Sequence, residues 1–317
     1  MSFGELEDWY RQNGGDLAPG IHVKDSDLGG RGLFAANPLA ARQKVLSLPL
    51  EACLSSADAS VAELPVNSLF RLTELLCAEL EKGEVSRWAC WFRSLPDQTG
   101  SWPEWREAEL LEAQRGPARF FQEAVELARK LPQWYKQLSQ ILPGSTIAGL
   151  DDKASFRRAL AILFSRRFGI QCEDAKIAVC VPFGDMINHS ATDSSVDVQY
   201  DQASGRLAFV ASREIAAGEE LLICYGEFDN MELCTNHGFT LPNNPLDKVV
   251  LDDGSELTSS SQVSVEAVQE LQSLLDALPP EDEAGQAKGR SPGCQAISSW
   301  RSNYRRLLQG LLSQKGA

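Results

Sequence analysis

A chain of 317 residues with a 43% hydrophobic content is long enough for one large globular domain or two small ones. Thirty Lys and Arg against forty-four Asp and Glu leave a formal charge of −14, which argues against the basic footprint of nucleic-acid binding and suits a basic partner. No apolar run approaches the ~20 residues of a membrane span. The acidic start, Met-Ser-Phe-Gly-Glu-Leu-Glu-Asp, has neither a signal-peptide core nor a basic transit composition. The cysteines at 53, 77, 90, 172, 180, 224, 234 and 294 form no CxxC pair and lie mainly in apolar segments. Buried, reduced thiols and an intracellular compartment are expected.

In chain order, Ser2 and Glu5 have capping-box spacing ahead of a short helix with Leu6, Trp9 and Tyr10 on one face, ending at Gly14-Gly15. Ile21-His22-Val23 reads as a strand, 28–34 as a Gly-rich turn into another, and Val45 to Pro49 as a third. Residues 67–168 read as helical. Leu69, Leu72, Leu76 and Leu80 repeat at helical spacing, 86–96 is a short helix stopped by Pro96, and 120–142 is helical with a break at Pro132. Asp151 or Asp152 caps a helix that turns Phe156, Leu160 and Leu163 inward. Trp88, Trp91 and Phe92 read as core.

Val181 to Tyr225 reads as a β-meander. Val196, Val198 and Tyr200 alternate with polar residues, Gln202 to Gly205 turn the chain, and Leu207, Phe209 and Ala211 alternate again. A turn at Ala217-Gly218 leads to a third run through Leu221, Ile223 and Tyr225. Asp185 to Ser190 is then a polar loop held against the sheet, a poor core but a plausible site. After Phe239 strand patterning ends. Val265 to Leu278 and Ile297 to Leu311 read as helices, joined by a Pro-, Gly- and acid-rich stretch over 279–292 that is expected to be mobile.

Asp-Met-Ile-Asn-His-Ser at 185–190 followed by Ile-Cys-Tyr-Gly at 223–226 resembles the two signatures of the carboxyl half of a SET domain. Ser94-Leu95-Pro96 and Ser165-Arg166-Arg167-Phe168 resemble segments of the branch typified by the Rubisco large-subunit methyltransferase. The resemblance implies an α+β fold: a β-rich SET domain over 1–240 with a helical insert at about 67–168, then a shortened, all-helical carboxy-terminal region over 241–317. It implies an S-adenosyl-L-methionine-dependent protein-lysine N-methyltransferase acting on a non-histone protein. Protein-histidine methylation, or a SET-fold binding module that has lost activity, are the alternatives.

The resemblance also assigns roles. Gly30, Arg31 and Gly32 lie by their backbone against the methionine end of the cofactor, although Gly29 and Gly30 stand where some relatives carry a carboxylate for its ammonium. Asn188 and His189 rivet a knot-like crossing and pair by their backbone with the adenine edge. Ser165, Arg166 and Asp185 offer carbonyls around the methyl group, Arg166 and Arg167 being open also to the reading of an exposed helix end. Phe239 gives a π-face, Tyr225 is catalytic, and Arg166, Phe168, Asp185 and Tyr200 surround the substrate side chain. His189 is not a general base. Only Cys234 follows the second signature closely, so no zinc site is expected. The expected partner is a protein bearing a lysine or histidine, with no nucleic acid and no membrane. The chain is expected to be a monomer in the cytoplasm or nucleus, with the chloroplast left open.

Overall fold

The structure is a computed structural model and describes residues 3–150, 153–172, 175–280 and 290–314. The expected caps at Ser2 and at Asp151 or Asp152, and most of the 279–292 stretch, lie outside the described residues. The chain divides into two compact units, Met1–Asp97 with Tyr135–Gly226, and Gln98–Trp134 with Glu227–Ala317. Among the described residues no helix is long and apolar enough to cross a membrane.

The first elements are α1 (Phe3–Gln12), β1 (Asp16–Leu17), β2 (Ile21–Asp25), β3 (Arg31–Ala35), β4 (Lys44–Pro49) and β5 (Leu54–Ser55). Helices follow: α2 (Ser68–Glu81), α3 (Ala89–Ser94), α4 (Glu107–Gln114), α5 (Ala118–Ile141), α6 (Thr146–Gly149) and α7 (Ala154–Arg166). Then come β6 (Arg167–Cys172), β7 (Ala175–Cys180), β8 (Asn188–His189), β9 (Val196–Asp201), β10 (Arg206–Ala211) and β11 (Leu222–Ile223). The last are α8 (Asn230–Glu232), β12 (Lys248–Val250), β13 (Glu256–Thr258), α9 (Val265–Ala277) and α10 (Pro292–Ser313).

In the first unit, β1, β4, β10 and β9 form an antiparallel sheet in that order, β2 pairs with β3, and β5, β7 and β6 form a third sheet. The alternating run at 196–211 is the expected hairpin: Leu207 faces Tyr200 and Phe209 faces Val198, with Leu207 and Phe209 fully buried. The third run differs from the meander. Leu222 and Ile223 pair in parallel with Asn188 and His189, so the polar loop at 185–190 is a 3₁₀ turn (Gly184–Met186) followed by a two-residue strand. Two residues carry no period, and a parallel partner leaves no local mark.

The helical stretch stops at Arg166, and β6 begins on the next residue, so Phe168 stands on a strand. The β6–β7 hairpin is absent from the sequence reading, although β6 alternates, with Phe168, Ile170 and Cys172 turned inward and Arg167, Gly169 and Gln171 exposed; the helical reading runs on to residue 168 across its start. Phe156, Leu160 and Leu163 of α7 are fully buried as expected, and so are Trp88 and Trp91. Tyr10 in α1 is buried and donates its hydroxyl to Ser47 O at 2.8 Å, tying α1 to β4.

The second unit packs β12, β13, α9 and α10 around Val249, Leu251, Leu271, Leu308 and Leu311. The β12–β13 hairpin stands in a region read as all-helical; Gly254, at φ +85°, turns the chain after Leu251. Phe120 stacks on Trp300 at 4.0 Å between centroids, and Trp300 on Tyr304 at 5.3 Å. The α8 helix continues as a π-helical turn, Leu233–His237. Asn230 at its start is buried and fully used: its Nδ2 donates to Leu241 O and Asp247 Oδ2, and its Oδ1 accepts from Leu241 N.

Pro132 does not break α5; it sits inside a continuous helix, exposed and with no N–H to give. A helix-interior proline costs about 3 kcal/mol against alanine, offset by about 1 kcal/mol through its stiffening of the unfolded chain. Pro132→Ala is therefore expected to stabilise the protein by about 2 kcal/mol, read as a higher urea midpoint with an unchanged slope.

Candidate active site

The site is built in the first unit where three distant segments cross. The run 218–221 lies antiparallel beside β3: Phe34 and Glu220 form a bridge, Ala35 N donates to Glu219 O at 3.0 Å, and Leu221 N donates to Leu33 O at 2.8 Å. The next two residues, β11, are held from both sides. Ser190 N donates to Ile223 O at 3.0 Å, and Ser195 N to Leu222 O at 2.8 Å. The Asn-His strand β8 is thus one of the two partners that flank β11.

The two side chains of that segment act as its ties. Asn188 Nδ2 donates to Arg31 O at 3.1 Å and to Glu220 Oε1 at 2.7 Å. His189 is 2% exposed, its ring lies 5.0 Å from that of Tyr225, and its Nδ1 accepts from Tyr225 N at 3.1 Å. Burial holds the His189 pKa below its ordinary value, against a weaker upward pull from Ile223. A neutral ring with Nδ1 committed to a backbone N–H cannot serve there as a base.

Tyr225 ends the second signature half-buried. Its hydroxyl donates to Ile187 O at 2.8 Å, which leaves the oxygen's lone pairs as acceptors. Burial pushes its pKa up, the Arg166 charge pulls it down, and the Asp185 and Glu220 charges push it up. Asp185 is held below by Arg166, whose NH1 donates to Oδ2 at 3.0 Å and to Asp185 O at 3.1 Å. Trp91 Nε1 adds a third bond to Oδ2 at 3.1 Å. Asp185 Oδ1 and Arg166 Nε are buried with no hydrogen-bond partner among the described residues. Phe183, two residues ahead of Asp185, is a buried non-glycine at φ +73°, a strained backbone that aims the 3₁₀ turn.

Arg31 lies in the same group: burial, then the Arg166 charge, lower its pKa, and its NH2 donates to Ser94 O at 2.9 Å. Ser94 belongs to the Ser-Leu-Pro segment, so that motif is joined to the Gly-rich turn. Gly32 is required where it stands, because a Cβ there would lie 2.1 Å from Glu220 Oε1 and 2.9 Å from Asn188 Nδ2. Gly30 has φ +67° and open space around it. Ser165 turns its hydroxyl back to Ala161 O at 2.8 Å, so any contribution to a ligand comes from its backbone at the end of α7. Arg167 reaches back to Leu163 O at 3.1 Å, as a helix-end cation does.

Phe168 is half-buried and edge-on to Phe209 at 5.6 Å, and Tyr200 is placed opposite Leu207 by the β9–β10 register. Phe239 belongs to the second unit, with its ring edge-on to His237 at 6.1 Å. Trp91 and Glu220 were missed as site residues. Trp91 reads as core in sequence and is core, yet its indole nitrogen holds Asp185. Glu220 gives no local signal at all.

A family model for the SET domain matches residues 30–226. Human actin-histidine N-methyltransferase is 26% identical over 270 residues, covering 80% of this chain and 44% of that protein. The chicken protein of the same name is 25% identical with the same coverage. The chain thus spans under half the length of the curated relatives it matches. Among solved structures, the SET domain of LSMT bound to lysine and AdoHcy matches with a TM-score of 0.71 at 18% identity, over 98% of this chain and 90% of that one. Rubisco LSMT bound to AdoMet matches with 0.73 at 18% identity, over 99% and 91%.

The lowered His189 pKa fixes the sign of one pH effect. The unfolded chain takes up this proton near pH 6.5 and the folded chain resists it, so stability is full above that value and falls as pH drops below it. Melts between pH 7.5 and 5 are expected to decline by up to ~1.4 kcal/mol per pH unit from this group, and His189→Gln is expected to flatten that slope.

Proposed function

The chain belongs to the SET-domain family, and from that premise we propose that it is an S-adenosylmethionine-dependent protein-lysine N-methyltransferase acting on a non-histone protein. The observation that carries the reading is the Tyr225 hydroxyl. It is oriented by its bond to Ile187 O, beside Asp185 and Arg166, and presents acceptor lone pairs at the end of the second signature. The residues present fit the cofactor. Gly30 leaves open space at the turn, Gly32 gives its side-chain space to the Glu220 carboxylate, and the Asn188–His189 backbone is pinned by both of its side chains. When bound, the cofactor supplies a methyl group on a sulfonium.

The chain's own residues then position and neutralise. A lysine ammonium with a pKa of about 10.4 becomes the neutral nucleophile at pH 7 at a cost of roughly 4–5 kcal/mol. An apolar wall at Phe168 and Tyr200 and a nearby cation lower that cost by disfavouring the ammonium. Tyr225 Oη accepts an amine N–H and so turns the nitrogen lone pair toward the methyl. Carbonyls of Ser165, Arg166 and Asp185 accept weak C–H contacts from a polarised methyl. The ammonium proton passes to water before transfer, and no side-chain base is needed: His189 is committed to Tyr225 N, and Asp185 to Arg166 and Trp91. Rate acceleration comes from alignment and preorganised acceptors.

Histidine is the second acceptor reading, favoured by the names of the relatives; an imidazole nucleophile needs one acceptor for its second nitrogen rather than a channel for an ammonium. The reading retains Phe239 as a cofactor residue on its Gly-Phe signature alone, and gives the second unit the choice of protein partner. It places the protein inside the cell, in keeping with free cysteines, most of them buried with pKa values pushed up by burial.

Labelling a lysate with radioactive S-adenosylmethionine, followed by amino-acid analysis of the labelled target, separates the readings. Methyl-lysine is the expected product, methyl-histidine overturns lysine, and no labelled protein from a chain that still binds cofactor points to a binding module.

Tyr225→Phe removes one oxygen and keeps the ring. Single-turnover methyl transfer is expected to fall at least ~100-fold, about 3 kcal/mol, with cofactor affinity nearly unchanged. Near-wild-type turnover with a melt lowered by ~1 kcal/mol would instead mark the hydroxyl as a satisfied core group.

A further inference from the structure

The methionine end of S-adenosylmethionine carries an α-ammonium, and a cation drawn partly out of water needs an anion or several acceptors. The β2–β3 turn that would receive it, Ser26 to Gly30, ends in two glycines, and its one acidic residue, Asp27, is exposed. Asp25, at the end of β2, is exposed as well. The half-buried carboxylate at this place comes from the far side of the sequence. The bridge between Phe34 and Glu220 sets the 218–221 run against β3, and the absence of a side chain at Gly32 lets Glu220 lie across the strand where a Cβ would stand.

Glu220 is surrounded by neutral donors only. Oε1 accepts from Asn188 Nδ2 at 2.7 Å, and Oε2 accepts from Ser26 Oγ at 2.8 Å, while the same Ser26 oxygen accepts from Leu28 N at 3.0 Å. A carboxylate has about four lone-pair positions, so two remain. No Lys or Arg forms an ion pair with it among the described residues. A half-buried charge held in a fixed place without a counter-charge is a site for a cation.

The same contacts settle the orientation of Asn188. Both of its amide hydrogens are used, one by Arg31 O and one by a carboxylate that can only accept. Its Oδ1 is therefore turned away from Glu220 and is free to accept. The carboxylate is tied to Ser26 at the start of the turn, and Gly29 and Gly30 at its end have open space where side chains would stand.

We propose that Glu220 holds the α-ammonium of S-adenosylmethionine, replacing a carboxylate that the Gly29-Gly30 turn does not carry. The inference rests on the cofactor reading above. Glu220 touches the end of the cofactor remote from the reacting methyl, so its contribution is to affinity rather than to the chemical step.

The test uses two ligands that share the adenosine end: S-adenosylhomocysteine, which has the amino-acid end, and 5′-methylthioadenosine, which lacks it. Calorimetry on Glu220→Gln is expected to show S-adenosylhomocysteine weakened about 10- to 100-fold, the size of one charge-assisted hydrogen bond, with methylthioadenosine within about twofold of wild type. Equal weakening of both ligands would mark Glu220 as a structural tie and overturn the proposal, as would unchanged affinity for S-adenosylhomocysteine. Should Glu220→Gln fail to fold, Glu220→Asp keeps the charge and withdraws it by one methylene. The same selective loss, smaller in size, is expected there, and an equal loss overturns it. A wild-type chain that binds neither ligand overturns the cofactor reading itself, and the inference with it.

Discussion

One amide group joins the parts of this protein that matter. Asn188 Nδ2 bonds at once to the backbone of β3 and to the side chain of Glu220, and so fastens residues 31, 188 and 220 at a single point. Each hydrogen bond contributes only about 1 kcal/mol net, somewhat more to the carboxylate. Their importance lies in the alternative, since without the amide a carbonyl and a carboxylate at the crossing would lose their donor together. The parallel pairing of β8 with β11 and the seat of the Tyr225 hydroxyl both depend on that crossing being closed.

Around it, the sequence places groups that are costly by themselves. Asp185 and Arg166 form an ion pair with little access to water, and such pairs seldom add stability once desolvation is counted. Phe183 holds a left-handed backbone with a full side chain. Both devices fix geometry: the indole of Trp91 and the guanidinium of Arg166 leave Asp185 one position, and the turn at Phe183 aims it. Strain and buried charge are concentrated in one turn, and the fully buried Trp91, Phe156 and Leu160 of the same unit are among the burial that offsets them.

Much of this was legible in the sequence, and the rest was not for identifiable reasons. The hairpin at 196–211 and the helix carrying Phe156, Leu160 and Leu163 announce themselves through periodicity, because each has one face in the core for several turns or pleats. The two signatures locate Asn188, His189 and Tyr225. Two-residue strands are too short for any period, so β8 and β11 were read as a loop and as the tail of a meander. Pro132 followed a local rule that the packing of α5 overrides. Trp91 and Glu220 escaped because their roles come from partners nearly a hundred and nearly two hundred positions away, such as Asp185 and Ser26.

Those separations also order events in time. The β2–β3, β6–β7 and β9–β10 hairpins close short loops, whereas the crossing must bring residue 31 to residue 188 and residue 26 to residue 220. Contacts of such long range pay their loop-closure entropy before they return anything, so they form late in folding. The crossing is then among the last parts of the molecule to close on folding. A ligand spanning that crossing would act as a latch on the whole chain: by binding only the closed form it would stabilise the folded state, and so tie the protein's lifetime to how much of that ligand is at hand.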